Sequence, residues 1–148
     1  MKKIILIPSV IFVLALFSQT IKAQTEAQRI ELCTKAAGSA TFLSSYPVNL
    51  PEARDGEKTP SFKQGIGLKA KNTYRFTICT DEESAGEAIL KVYDEGKLIL
   101  TSYNEETGKS YQSINFDCNK VGIYIIIISF KDGKQGSAVG ILSHVKTL

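Results

Sequence analysis

The sequence predicts an all-β protein, an antiparallel β-sandwich of jelly-roll type with a short helix before it. Short segments rich in β-branched and aromatic residues recur through the second half with turn residues between them, and helical periodicity is almost absent there. The third observation is the stretch Val121-Gly-Ile-Tyr-Ile-Ile-Ile-Ile-Ser-Phe130, too short to span a membrane and poorly suited to a helix. Isoleucine branching at Cβ costs side-chain freedom against a helical turn, whereas a pleated strand accommodates it. A run apolar at every position must be covered on both faces or lie in the middle of a sheet. Lys131, Asp132 and Lys134 follow as gatekeepers against aggregation, and Asp132-Gly133 predicts a hairpin turn.

From the beginning of the chain, residues 1–23 read as a secretory signal and 24–148 as one β-sandwich domain. Lys2 and Lys3 form a positive start, Ile4 to Phe17 an apolar stretch broken by Pro8 and Ser9, and Ile21-Lys22-Ala23 a small-residue cleavage end. An uncleaved anchor is the weaker reading, because the apolar stretch is short and interrupted. No cysteine near the cleavage point offers an acceptor for a lipid anchor. The chain holds 18 Lys+Arg against 15 Asp+Glu, and removing Lys2, Lys3 and Lys22 leaves 15 of each sign. A neutral mature protein gives no support to a nucleic-acid or anionic-membrane partner.

Thr25 to Ala40 carries an apolar stripe (Ile30, Leu32, Cys33, Ala36, Ala37) that predicts a short helix ending at Gly38, with a loose arm as the alternative. Thr41 to Tyr46 reads as a strand stopped by Pro47, and Asn49 to Pro60 as a long loop. Thr73 to Thr80 alternates Tyr74, Phe76 and Ile78 against Arg75, Thr77 and Cys79, the pattern of a half-buried strand. Ala88–Tyr93 and Lys97–Tyr103 flank the hairpin signal Asp94-Glu-Gly96. Strands at Tyr111–Phe116 and Ser137–Val145 complete the set.

These residues resemble the bacterial pre-peptidase C-terminal domain. The likeness rests on Asn72-Thr-Tyr-Arg-Phe-Thr-Ile, on Ala88-Ile-Leu-Lys-Val-Tyr-Asp94 with Gly96, and on Gly122-Ile-Tyr, and it covers roughly residues 66 to 130. It implies a secreted jelly-roll-like sandwich that accompanies an enzyme without performing chemistry, with calcium in turns and a role in polymer binding or secretion. The single domain expected at 24–148 leaves no room within these residues for a protease, and with Ala23-Gln24 at the junction the chain also resembles freestanding exported proteins of Bacteroidota.

Three cysteines remain after the signal, an odd count for an exported protein. Cys79 and Cys118 each end a predicted strand and could meet if those strands run alike in facing sheets, but not if they are adjacent and antiparallel. Cys33 with either, and no bond at all, stay open. No cofactor is expected. Asp81, Glu82 and Glu83 are the candidate calcium ligands, with Asp94 or Asp117 from neighbouring turns, although the fixed spacing of a calcium loop is absent. Tyr103 and Tyr111 bracket a polar turn and are the candidate stacking residues for a sugar or peptide. The single histidine, His144, has no nucleophile motif to serve. The function expected is therefore an exported, non-catalytic binding or accessory protein in the periplasm, at the cell surface or outside. Its partner would be a protein, an extracellular polymer or a second copy. The alternative is a small secreted hydrolase with paired carboxylates, which requires two convergent acids in a concave pocket.

Overall fold

The computed structural model describes residues 25–148, so the signal expected at 1–23 lies outside the described residues. The chain opens with helix α1 (Glu26–Ala36), started by a capping box in which Thr25 and Gln28 satisfy each other's backbone N–H groups. Gly38, at φ 75°, turns the chain out of the helix. The strands follow: β1 (Thr41–Leu50), β2 (Phe62–Leu68), β3 (Asn72–Thr80), β4 (Ala88–Asp94), β5 (Lys97–Thr101), the short pair β6 (Tyr103–Asn104) and β7 (Lys109–Ser110), β8 (Ser113–Cys118), β9 (Gly122–Phe130) and β10 (Gly136–Thr147).

Two antiparallel four-stranded sheets form from them, sheet A in the order β1-β10-β3-β8 and sheet B in the order β2-β9-β4-β5. The pairings nest, first strand with last, β2 with β9, β3 with β8, β4 with β5, and successive nested pairs fall in opposite sheets. That is the jelly-roll arrangement the sequence predicts. Between the sheets lie Leu68, Phe76, Leu90, Val92, Ile126 and Ile128, all essentially without solvent contact. Their alternation along β3, β4 and β9 is the period-two pattern of strands with one face on a core.

The isoleucine run is an interior strand of sheet B, as the second of its two sequence alternatives requires. Tyr124, Ile126, Ile128 and Phe130 point into the core, while Ile123, Ile125, Ile127 and Ser129 point out. Three expectations need correction. Pro47 does not stop β1, which continues to Leu50: β1 is an edge strand, and an edge tolerates a missing N–H on its solvent side. Asp132-Gly133 does not close a hairpin, because β9 and β10 lie in different sheets and residues 131–135 cross between them. The left-handed φ values of Asp132 (58°) and Gly133 (66°) serve that crossing. Finally, β2 is a strand where the sequence reading saw none, since Gly65 and Gly67 occupy its outward positions and weaken the period-two signal.

Candidate binding face

The outward faces of the two sheets differ. On sheet A, Val139 and Ile141 of β10 are covered by α1, and Cys33 of the helix is bonded to Cys79 of β3 with Cα atoms 5.8 Å apart. Arg75 Nη1 donates to the Ala37 carbonyl at 2.7 Å, fixing the end of the helix, and Arg29 pairs with Asp81 at 3.5 Å near its start. The pairing of Cys79 with Cys118 is thereby corrected. Strands β3 and β8 are adjacent and antiparallel, Cys118 lies opposite Asn72, and Cys79 sits seven residues away along β3, about 23 Å at strand rise. Cys118 is a free, buried thiol that donates to the Lys120 carbonyl at 3.2 Å and lies 3.6 Å from the Tyr124 hydroxyl.

Sheet B carries no helix on its outer face among the described residues. Ile123 there is 67% exposed, with Ile125 and Ile127 half-buried along the same strand. Gly65 and Gly67 of β2 flank them on one side, and Tyr93 of β4 with the exposed Leu98 of β5 on the other. Lys63 and Lys91 border Ile127 on its two neighbours. A contiguous apolar stripe with a polar border is what protein-binding surfaces present and solvated sheet faces avoid.

At the Phe130 end of this face a cleft of about 490 Å³ opens between three loops. Ile89, Ser129 and Phe130 line it together with Tyr103, Lys91, Glu105, Lys131 and Asp132. The loop after β1 is tied in place by the Ala53 N–H, which donates to the Gly133 carbonyl at 2.7 Å, and by Lys134 with Glu52 at 3.6 Å. Lys131 Nζ stands 5.0 Å above the Tyr103 ring, and the phenol beside it holds the ammonium above the usual lysine range. Lys91 and Glu105 pair across the rim at 3.9 Å.

The residues singled out in the sequence are scattered. Tyr103 pairs with Ser110 across β6 and β7, whereas the Tyr111 N–H donates to the Ser102 carbonyl. Adjacent positions of a hairpin face opposite ways, so the two rings line different clefts and form no common stacking platform. Asp81, Glu82 and Glu83 do not converge either. Asp81 is drawn to Arg29, Glu82 and Glu83 face solvent, and among the described residues no three His, Cys, Asp or Glu side chains gather to hold a metal ion. Asp94 and Asp117 lie at the opposite end of the sandwich, the first bound by Lys120 at 3.0 Å and the second by the Thr73 hydroxyl at 2.6 Å. His144 bonds Asn72 at 2.9 Å and packs edge-on against Tyr74, a structural position. What sequence reasoning missed is the outward half of the isoleucine run and the two arginines that seat α1. A period-two split of residues 123–129 separates two apolar halves but does not say which of them faces out.

Tyr124, beside Cys118, yields a prediction. Burial, then the hydrogen bond with the Cys118 sulfur, pushes the phenol up to about 12. A phenol whose folded value exceeds its ordinary value near 10 contributes stability that is complete below about pH 10 and lost as pH rises through about 12. Tyr124→Phe is expected to cost about 1 kcal/mol at neutral pH, through the lost bond to the Lys120 carbonyl. It is also expected to lose less stability than the parent between about pH 10 and 12. Urea unfolding at a series of alkaline pH values measures the difference in slope.

No protein-family model matches the chain, and no curated protein matches it. Among solved structures it is similar to Aeromonas hydrophila PliG, a periplasmic lysozyme inhibitor of g-type lysozyme. That likeness has a TM-score of 0.51 at 13% identity, over 72% of this chain and 89% of PliG. At that identity the likeness concerns the fold alone.

Proposed function

We propose that this protein is an exported, non-catalytic β-sandwich that binds a protein partner through the outer face of sheet B and the cleft at its end. One observation carries the reading: the central strand of that sheet turns Ile123, Ile125 and Ile127 outward with no element over them among the described residues, while sheet A has its own helix. Export is supported by the Cys33–Cys79 bond, since such bonds persist in oxidising compartments, and by the periplasmic description of PliG. PliG acts on another protein rather than on a small substrate, and only that class of role is carried over. The sequence likeness to pre-peptidase C-terminal domains supports the same class.

A polymer partner has less support, because Tyr103 and Tyr111 line separate clefts. The hydrolase alternative needs two convergent acids shielded in a pocket; the cleft holds Glu105 and Asp132, but both are exposed and Glu105 is paired with Lys91. Photo-crosslinking tests the reading. A photoreactive residue at Ile123 is expected to capture one discrete protein in the compartment to which the chain is exported, and the same residue at Lys35 on α1 is expected to capture none. Adding the Leu98→Lys substitution should suppress capture from position 123. Equal capture from both positions, or none from either, would remove the outer face of sheet B as the binding surface.

A further inference from the structure

Sheet B ends in a regular seven-residue edge strand, β2. Each sheet has two edges, and three of the four are protected in ways proteins commonly use. Strand β1 contains Pro47 and a bulge at Phe42/Ser44. Strand β5 is five residues long and bulged against β4. Strand β8 shares a cleft with Tyr111 and Thr101 at its start and presents Asp117 near its end. Strand β2 carries one charge, Lys63, but neither a proline nor a bulge. It pairs with β9 over seven residues, has no register break and, among the described residues, no strand on its other side; the Gly65 carbonyl accepts from Gln64 Nε2 at 3.0 Å.

We infer that the free edge of β2 pairs antiparallel with β2 of a second copy, about a two-fold axis at Gly65, to make one continuous eight-stranded sheet. The register is argued from the residues. Centring on Gly65 pairs all of Phe62–Leu68 and sets Lys63 opposite Gly67 of the other copy, so no like charges meet. Sliding the centre to Ile66 would place Lys63 against Lys69, and sliding it to Gln64 would draw in Pro60, which has no N–H to give. The glycines leave an open trough on the outward face. Ile123 leans across it, its methyl carbons 3.5 Å and 3.9 Å from where Cβ atoms on Gly65 and Gly67 would stand. The aliphatic stem of Lys63 from the second copy fits that trough against Ile123, with its ammonium in solvent. Pro47 and the β1 bulge keep sheet A from joining in, and a two-fold pairing consumes both free edges, so assembly stops at the dimer. This surface goes beyond the proposed partner face: the edge pairs copies, and the isoleucine stripes of both then lie on one sheet.

Cysteine scanning of the exported protein tests the register. Gly65→Cys is expected to form a disulfide-linked dimer on mild oxidation, because residue 65 faces itself across the axis and a Cβ there meets only ordinary contacts. Gly67→Cys alone is expected to remain unlinked, and an equimolar mixture of Lys63→Cys with Gly67→Cys to link as a mixed pair. Sedimentation equilibrium of the unsubstituted protein should give a dimer mass at micromolar concentration. Gly65→Lys, which opposes two cations at the axis, should give a monomer with the parent's circular dichroism. Failure of the partner capture described above would leave these results untouched. A monomer at every concentration, or equal linking by Gly65→Cys and Gly67→Cys, would overturn the proposal.

Discussion

Ile126→Asp is expected to abolish soluble, folded protein. Ile126 has no solvent contact, lies midway along β9, and is held between Gln64 of β2 and Val92 of β4 in the centre of sheet B. Its side chain meets the inner face of sheet A within a cluster of aliphatic and aromatic side chains. The substitution removes a buried aliphatic side chain and places a charge, or a neutral acid lacking hydrogen bonds, in its cavity. Together these costs reach about 5 kcal/mol or more, comparable with the whole stability of an ordinary domain. Secretion yield and a thermal melt measure the effect. The neighbouring position supplies the control: Ile123→Asp changes the same residue type on the same strand but on the solvent face, and should shift stability by about 0.5 kcal/mol or less. If Ile126→Asp were secreted and melted like the parent, the facing of β9 would be wrong, and with it the assignment of Ile123 to the binding face.

That contrast marks how far the sequence is legible. The alternation in β3 and the turn at Asp94-Glu-Gly96 are local signals, and the structure follows them closely. Pro47 misled because proline forbids only an interior ladder position, and whether β1 is interior depends on β10, some ninety residues away. The candidate site residues are dispersed for a related reason. Turn positions in a sequence do not say which end of a sandwich a turn occupies: Asp81 and Asp117 stand at opposite ends of β3, and Tyr103 and Tyr111 face opposite sides of one hairpin. The isoleucine run gave its strand correctly and hid its function, because a run apolar at every position does not say which half is the core. Only the packing of Tyr124, Ile126 and Ile128 against sheet A makes that division.

The cysteines were legible as a condition rather than a pairing. Once β3 and β8 are neighbours, Cys79 can only reach outward, where α1 brings Cys33 to it. Replacing both cysteines, Cys33→Ala with Cys79→Ala, is expected to lower stability by about 2–5 kcal/mol; closing a loop of this length corresponds to about 4 kcal/mol of chain entropy. The separation of 46 residues places the loop from the helix through β1, β2 and most of β3, so the unfolded chain gains freedom over a third of the domain. For a domain near this size the loss corresponds to a fall in Tm of roughly 8–20 °C. Replacing both partners avoids a lone thiol that could scramble with Cys118 in the unfolded chain. The loss should also have a local signature. Without the bond, α1 is held by Arg29 with Asp81, by Arg75 at its last turn and by the small apolar contact over Val139 and Ile141. Hydrogen exchange should therefore quicken in residues 26–36 well before it does in β9. Uniform quickening instead would mean that the helix is part of the core's cooperative unit rather than a separately fastened cover.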